Sequence, residues 1–284
     1  MAKRRRSLSG KVIAITGAAR GIGHATAAAL VTKGARVAIG DLDGELAAQV
    51  AQRLGGGAIG LGLDVTENRG FTAFLDEVER QLGPLDVLIN NAGIMPTGLI
   101  DEESEDTTER EIAINLHAVI HGTREAVRRM KPRSTGHIVN ISSAAGKIAG
   151  ARAATYSATK FGVAGFSEAV ALELQGTGLE MSVVFPSLTR TDLVSGLKSM
   201  PGLPWIAPED VAARIVEALE RPRLEVPVPK VMGLLLTFNQ VLPFRARAAL
   251  ARVTKADSVI AELDPTARAG YEERLARIVT RSRS

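Results

Sequence analysis

Residues 11–23 read Lys-Val-Ile-Ala-Ile-Thr-Gly-Ala-Ala-Arg-Gly-Ile-Gly and run into the alanine-rich stretch 24–34. Four consecutive apolar residues ending in glycines and then an amphipathic run describe a buried strand, a tight turn and a helix. Glycines let such a turn bring backbone N–H groups against a phosphate, and the helix start behind it favours an anion there. The spacing Gly17-x-x-x-Gly21-x-Gly23 departs from the commoner Gly-x-Gly-x-x-Gly arrangement, and a merely tight connection is the competing reading.

Outward from this stretch, short apolar runs alternate with longer amphipathic ones. Strands are predicted at 11–16, 35–40, 58–63, 85–90, 137–142, 179–185 and 224–228, and helices at 22–33, 43–54, 67–82, 104–131, 155–175 and 208–220. Strands that are apolar nearly throughout, separated by helices, form a parallel sheet covered on both faces. Right-handed crossovers then favour an α/β, doubly wound, Rossmann-like sheet of about seven strands. The expected division is a basic disordered tail (1–8), a catalytic domain (9–228) and a helical C-terminal extension (229–284).

The second strand ends at Asp41, at the distance where an acidic residue accepts hydrogen bonds from adenosine ribose hydroxyls and repels a 2′-phosphate. NAD is therefore expected over NADP. Arg20, a cation inside the turn, is the feature that would instead suit a 2′-phosphate.

Tyr156 and Lys160 stand four residues apart on a predicted helix, which stacks them on one face. A phenol has an ordinary pKa of about 10. A fixed cation about 4 Å away contributes ~4 kcal/mol at an effective dielectric of ~20, enough to bring it toward working pH.

With these residues in view the chain resembles the short-chain dehydrogenase/reductase family over residues 9 to about 228. The resemblance is carried by Thr16–Gly23, Asp64-Val65, Asn90-Asn91-Ala92-Gly93, Asn115, Ser143 and the Tyr156/Lys160 pair, with Ser143 thirteen positions before Tyr156. It implies a dinucleotide site formed by Gly17, Ala19, Arg20, Gly21, Ile22, Gly23 and Asp41. Asp64 and Val65 would meet the adenine, and Asn91, Ala92 and Gly93 the adenosine ribose. It further implies Ser143 as donor to the substrate oxygen and Tyr156 as general acid/base. Lys160 would depress the tyrosine and hold the nicotinamide ribose, and Asn115 would anchor a proton-relay water. Pro186, Thr189 and Thr191 match the nicotinamide-facing loop, in which Ser187 replaces the family's usual glycine.

Composition narrows the alternatives. The chain has no cysteine, which excludes disulfides, thiol nucleophiles and cysteine-bound zinc. The formal charge of +4 belongs to the two ends, where Lys3, Arg4, Arg5 and Arg6 open the chain. A solvated arm is favoured there over a nucleic-acid contact. No run reaches the ~18 apolar residues of a membrane span. His117 and His121 share a helix face, yet no third ligand is evident and no metal is expected.

A homodimer or homotetramer through helices 104–131 and 156–175 is expected, as is a cytoplasmic location. Loop 192–207 is expected to flap over a substrate pocket lined by Met95, Pro96, Ala144, Ala145, Ile148 and Ala149. So apolar a lining suits a lipophilic alcohol or carbonyl compound of steroid, retinoid or lipid type. An NADP-dependent 3-ketoacyl-thioester reductase and a non-catalytic dinucleotide-sensing regulator are the alternatives. Apolar residues at 231, 234, 235, 238, 241 and 242 make a helical stripe with basic flanks. A lid or dimer helix, a peripheral membrane helix and core packing are its three readings.

Overall fold

The computed structural model describes residues 5–198, 205–254 and 258–280. All seven predicted strands are present, with ends within two residues of expectation: β1 Val12–Thr16, β2 Arg36–Asp41, β3 Ile59–Gly62, β4 Val87–Asn90, β5 Gly136–Ile141, β6 Leu179–Pro186 and β7 Glu225–Val228. They pair in parallel in the order β3-β2-β1-β4-β5-β6-β7. The order reverses between β1 and β4, which opens a crevice at their carboxyl ends.

The helices of this unit are α1 Gly21–Thr32, α2 Gly44–Leu54, α3 Asn68–Leu82, α4 Glu105–Ile112, α5 Ala118–Met130, α6 Ala154–Glu173 and α7 Pro208–Glu220. Side chains of β1 alternate between the two faces, as a strand covered on both sides requires. Ile13 and Ile15 join the core under α1, α2 and α7, while Val12 and Ala14 join the core under α3 and α5. The expected 104–131 helix is one body in direction, but a π turn at Ala113–His117 separates α4 from α5. Among the described residues four more helices follow β7: α8 Met232–Val241, α9 Phe244–Val253, α10 Ser258–Ala261 and α11 Pro265–Thr280. Among the described residues no helix is long and apolar enough to cross a membrane.

The N-terminal segment differs from the disordered tail expected of it. Lys3 and Arg4 lie outside the described residues, but Arg6 pairs with Glu180 at 2.6 Å, Arg5 approaches Glu220 at 3.7 Å, and Leu8 is buried. An apolar anchor and two carboxylates seat what composition alone marks as a solvated arm.

The glycine turn is held by cross-ties between β1 and β4. Thr16 Oγ1 accepts from the N–H groups of Asn91 (3.0 Å) and Ala92 (3.1 Å), and Asn91 Nδ2 donates to the carbonyls of Thr16 (2.9 Å) and Gly17 (3.0 Å). Gly17 adopts φ +62° with Ala92 Cα 2.8 Å from where a Cβ would sit. Gly23 has ordinary backbone, yet a Cβ there would lie 2.7 Å from Ala18 Cα, from Gly17 O and from Asn91 Nδ2. Two of those atoms are backbone and cannot swing aside. Gly23→Ala is therefore expected to destabilise the protein by about 1–3 kcal/mol, read as a lowered urea midpoint with an unchanged slope.

Candidate active site

A cavity of about 1170 Å³ occupies the crevice at the carboxyl edge of the sheet and extends beneath the C-terminal helices. Of the residues singled out from sequence, Gly17, Arg20, Gly21, Ile22, Asp41, Asp64, Val65, Asn91, Ala92, Gly93, Ser143, Tyr156, Lys160, Pro186, Thr189 and Thr191 line it. Ala19, Gly23 and Asn115 stand behind its wall. Ala19 N–H donates to Asp41 Oδ2 at 3.0 Å, so its contribution is to orient that carboxylate. Arg20 points away from Asp41 to Asp43, with which it pairs at 3.1 Å.

Asp64 is more encumbered than its sequence context suggests. Its Oδ1 accepts from the N–H and hydroxyl of Thr66, and its Oδ2 accepts from Arg110 at 2.8 Å. Although burial opposes it, these bonds hold the carboxyl below its ordinary range. Arg110 escaped the sequence reading because it is one of several arginines on a polar helix; only the fold turns it inward against β3's exit loop.

The catalytic candidates converge from three elements. Ser143 follows β5 and caps a short 3-10 turn, its Oγ accepting from Ala145 N–H at 3.1 Å. Tyr156 and Lys160 sit one turn apart on α6, both buried, with Lys160 Nζ 5.6 Å from the Tyr156 ring centre and donating to Ile141 O at 3.1 Å. Ser142 Oγ donates to the Lys160 carbonyl at 2.8 Å, which docks α6 against the end of β5. Asn115 lies in the π turn, the kind of helix defect that recurs at functional sites. Its Oδ1 accepts from Ile94 N–H (2.9 Å), and its Nδ2 donates to Ile94 O (2.8 Å), Glu111 Oε1 (3.2 Å) and Thr159 Oγ1 (3.3 Å).

Titration in this cluster differs from the expectation of a depressed phenol. Burial pushes Tyr156 up to about 12, only partly countered by the Ser143 hydroxyl, and Glu111 adds to the rise. Burial also pulls Lys160 down to about 8, with Glu111 acting in the opposite direction. The low-dielectric setting that would amplify attraction between an ammonium and a phenolate first penalises forming either charge.

Glu111 is the residue of this cluster that sequence reasoning missed. It is wholly buried, its Oε1 is used by Asn115, and its Oε2 has no hydrogen-bond partner among the described residues. Burial first, then repulsion from Glu103, pushes it up to about 8 against the attraction of Lys160. Its position four residues before Asn115 was the only available signal, and a helix of eight residues rich in Glu hides it.

The loop after β6 and the substrate end are shaped from unexpected quarters. Thr189 is buried with its hydroxyl donating to Ser187 O at 2.9 Å, and Thr191 packs its methyl toward Gly21. Ser187 does not need the left-handed backbone that glycine would allow, and its buried hydroxyl has no partner among the described residues. In loop 192–207, residues 199–204 lie outside the described residues. The described part is clamped by α11: Arg268, fully buried, donates to the carbonyls of Leu193 (3.1 Å), Ser195 (3.2 Å) and Met95 (2.6 Å). Tyr271 Oη accepts from Met95 N–H at 2.8 Å, its ring 4.6 Å from the Arg268 guanidinium, and lines the cavity beside Leu275 and Ile278. Met95, Ala144, Ala145, Ile148 and Ala149 line it as expected, whereas Pro96 does not. By pattern this last helix is polar and amphipathic, but three carbonyls that need a donor draw its arginine inside.

A parallel doubly wound sheet with a Ser, Tyr, Lys and Asn gathered at its switch point defines a nucleotide-dependent oxidoreductase. The sequence model of the short chain dehydrogenase family matches residues 11–202, and the chain belongs to that family. It is 37% identical over 204 residues to the 3-alpha-(or 20-beta)-hydroxysteroid dehydrogenase of Mycobacterium tuberculosis strain H37Rv, covering 72% of this chain and 75% of the relative. It is 35% identical over 192 residues to the 3-oxoacyl-[acyl-carrier-protein] reductase FabG of Salmonella typhimurium, covering 67% and 78% respectively. In three dimensions it resembles a short chain dehydrogenase/reductase from Burkholderia phymatum crystallised with NAD, with a TM-score of 0.76 at 23% identity over 82% of this chain and 94% of that one.

Because the folded Glu111 pKa of about 8 exceeds its ordinary value of 4.5, the carboxyl favours the folded state most below 4.5 and loses that contribution as pH rises through about 8. Glu111→Gln removes this dependence. Its urea midpoint should gain on wild type as pH is raised across that window, and parallel midpoints at both ends would exclude the assigned titration.

Proposed function

We propose that the protein is an NAD(H)-dependent alcohol dehydrogenase or carbonyl reductase acting on a lipophilic alcohol and its ketone or aldehyde. The observation that carries the reading is the meeting of Ser143, Tyr156 and Lys160 on one wall, where the crevice between β1 and β4 opens into a chamber of mainly apolar lining. The residues present fit a dinucleotide. Gly17 and Gly21 take positive φ and leave room for close approach, the Asp41 carboxylate faces the cavity at the end of β2, and the partnerless Ser187 hydroxyl lines the loop after β6. Gly17, Arg20, Gly21 and Ile22 would surround the pyrophosphate, Asp41 the adenosine ribose, Asp64 and Val65 the adenine, and Pro186, Ser187, Thr189 and Thr191 the nicotinamide end. Ala19 and Gly23 would act from behind, by fixing Asp41 and the turn.

When bound, the nicotinamide supplies acceptance or donation of the hydride. Tyr156 Oη takes the proton from the substrate hydroxyl in oxidation and returns it to the alkoxide oxygen in reduction. Ser143 Oγ donates to that same oxygen and favours the charge that develops on it. Lys160 in its charged form would draw the phenol toward ionisation and would hold the nicotinamide ribose. Glu111 would support that charge, and Asn115, which ties the π turn to Ile94, would anchor a relay water between Lys160 and solvent. Met95, Ile148 and Tyr271 would enclose the apolar body of the substrate.

Three features support NAD over NADP: the Asp41 carboxylate, its orientation by Ala19 N–H, and the commitment of Arg20 to Asp43. The likeness to a 3-oxoacyl reductase favours a thioester reductase as the second reading, in which Arg20 would have to leave Asp43. The exposed Ile112, Phe161 and Leu172 on α4 and α6 support self-association through those helices.

Tyr156→Phe should lower turnover by roughly 10²–10⁴-fold while NADH fluorescence titration shows binding retained; near-normal turnover would remove the assigned acid/base. Wild type should bind NADH at least roughly tenfold more tightly than NADPH, and Asp41→Ala should cut the preference by a similar factor, as expected for loss of a charged hydrogen bond. Equal affinity in wild type would decide for the second reading.

A further inference from the structure

The C-terminal helices enclose the cavity on one side and present an unusual surface on the other. α8 turns Met232, Leu236 and Asn239 inward, at positions one helical face apart from Val231, Leu234, Leu235, Phe238 and Val241. The outward set is strongly exposed, Leu234 at 82%, Val231 and Val241 at 74% and Phe238 at 56%. Phe244, at the joint into α9, is exposed at 75% and also lines the cavity mouth together with Leu235 and Arg247. Single exposed apolar residues are ordinary, but a contiguous helical face of them marks an interaction site.

Charge indicates what that site meets. From Val226 to Thr254 the chain has no Asp or Glu but carries Lys230, Arg245, Arg247 and Arg252. Arg245 and Arg252 are seven residues apart on α9, hence on one face, and exposed. Among the described residues no ion pair involves Arg245, Arg247 or Arg252, whereas Lys230 pairs with Glu217 at 3.4 Å. A two-fold contact through α8 and α9 would set this cationic region against its own copy. An anionic surface with an apolar interior satisfies both halves of it.

We propose that the α8–α9 face docks on the surface of an anionic lipid bilayer. Leu234, Phe238 and Val241 enter the acyl boundary, and Arg245 and Arg252 meet the headgroups. Because Leu235 and Phe244 belong both to this region and to the cavity mouth, a lipophilic substrate passes from the bilayer into the cavity without crossing water. This passage rests on the lipophilic-substrate reading above; the docking does not.

The test is flotation of the full chain with vesicles of neutral phosphatidylcholine alone or mixed with phosphatidylglycerol. Wild type should float with the mixed vesicles and much less with the neutral ones. Leu234→Glu/Phe238→Glu should not float. Arg245→Gln/Arg252→Gln should lose roughly 25-fold in partitioning, since each basic residue near an anionic leaflet is worth roughly fivefold. None of these four side chains lines the cavity, so turnover of a water-soluble alcohol should be unchanged in both variants, which also shows that they fold. Failure of wild type to float, or flotation of the variants like wild type, would overturn the docking. So would sedimentation showing that Leu234→Glu/Phe238→Glu dissociates an oligomer in lipid-free solution, which would make the face a contact between copies. Flotation with no turnover of any alcohol would leave the docking standing and remove the substrate reading instead.

Discussion

Everything at the carboxyl edge of the sheet depends on how closely β1 and β4 end beside each other. Gly17 lies against the Ala92 backbone, Gly23 against Gly17 O and Ala18, and Thr16 with Asn91 stitches the two strand ends with four hydrogen bonds. No side chain larger than hydrogen fits at either glycine without moving backbone. That closeness starts α1 at the crevice, with Gly21 and Ile22 in the cavity wall, and sets Gly93 beside Lys160. The same asparagine braces the turn through its side-chain amide while lining the cavity.

The second constraint is electrostatic. Tyr156, Lys160 and Glu111 are packed together with little water, so each is pushed toward its neutral form, to about 12, about 8 and about 8 respectively. The helical spacing of tyrosine and lysine suggests an attraction that lowers the phenol. Burial acts first, and the attraction is available only to the extent that Lys160 keeps its proton. Glu111, held in place by Asn115, draws in that direction. The π turn thus joins two functions, orienting Asn115 toward Ile94 and bringing a carboxyl into reach of the lysine.

The C-terminal helices finish a cavity that the sheet only begins. Arg268 gathers carbonyls of Met95, Leu193 and Ser195, so the loop after β4 and the loop after β6 are fastened to the same buried cation. Those carbonyls would be costly to bury unpaired. Fastening them sets Tyr271 in the cavity wall, while α8 packs through Met232 and Leu236 on Val183 and Phe185 of β6 and leaves its other face bare.

Strand count and the glycine turn follow from local pattern, because a buried parallel strand must be apolar and a sharp strand-to-helix turn must be glycine-rich. Helical spacing puts Tyr156 and Lys160 on one face of α6, whereas Ser143 stood out only through the family resemblance, thirteen positions before Tyr156. Arg110, Glu111, Arg268 and Tyr271 were not legible. Each is an ordinary residue of a polar amphipathic helix until the fold decides which face turns inward. That choice depends on carbonyls and carboxylates contributed by segments far apart in the chain. The sequence alone determined a doubly wound sheet with a polar cluster at its switch point. Only the tertiary structure decided the charge state of that cluster and what closes over it, because desolvation and long-range hydrogen bonding exist only once the chain is packed.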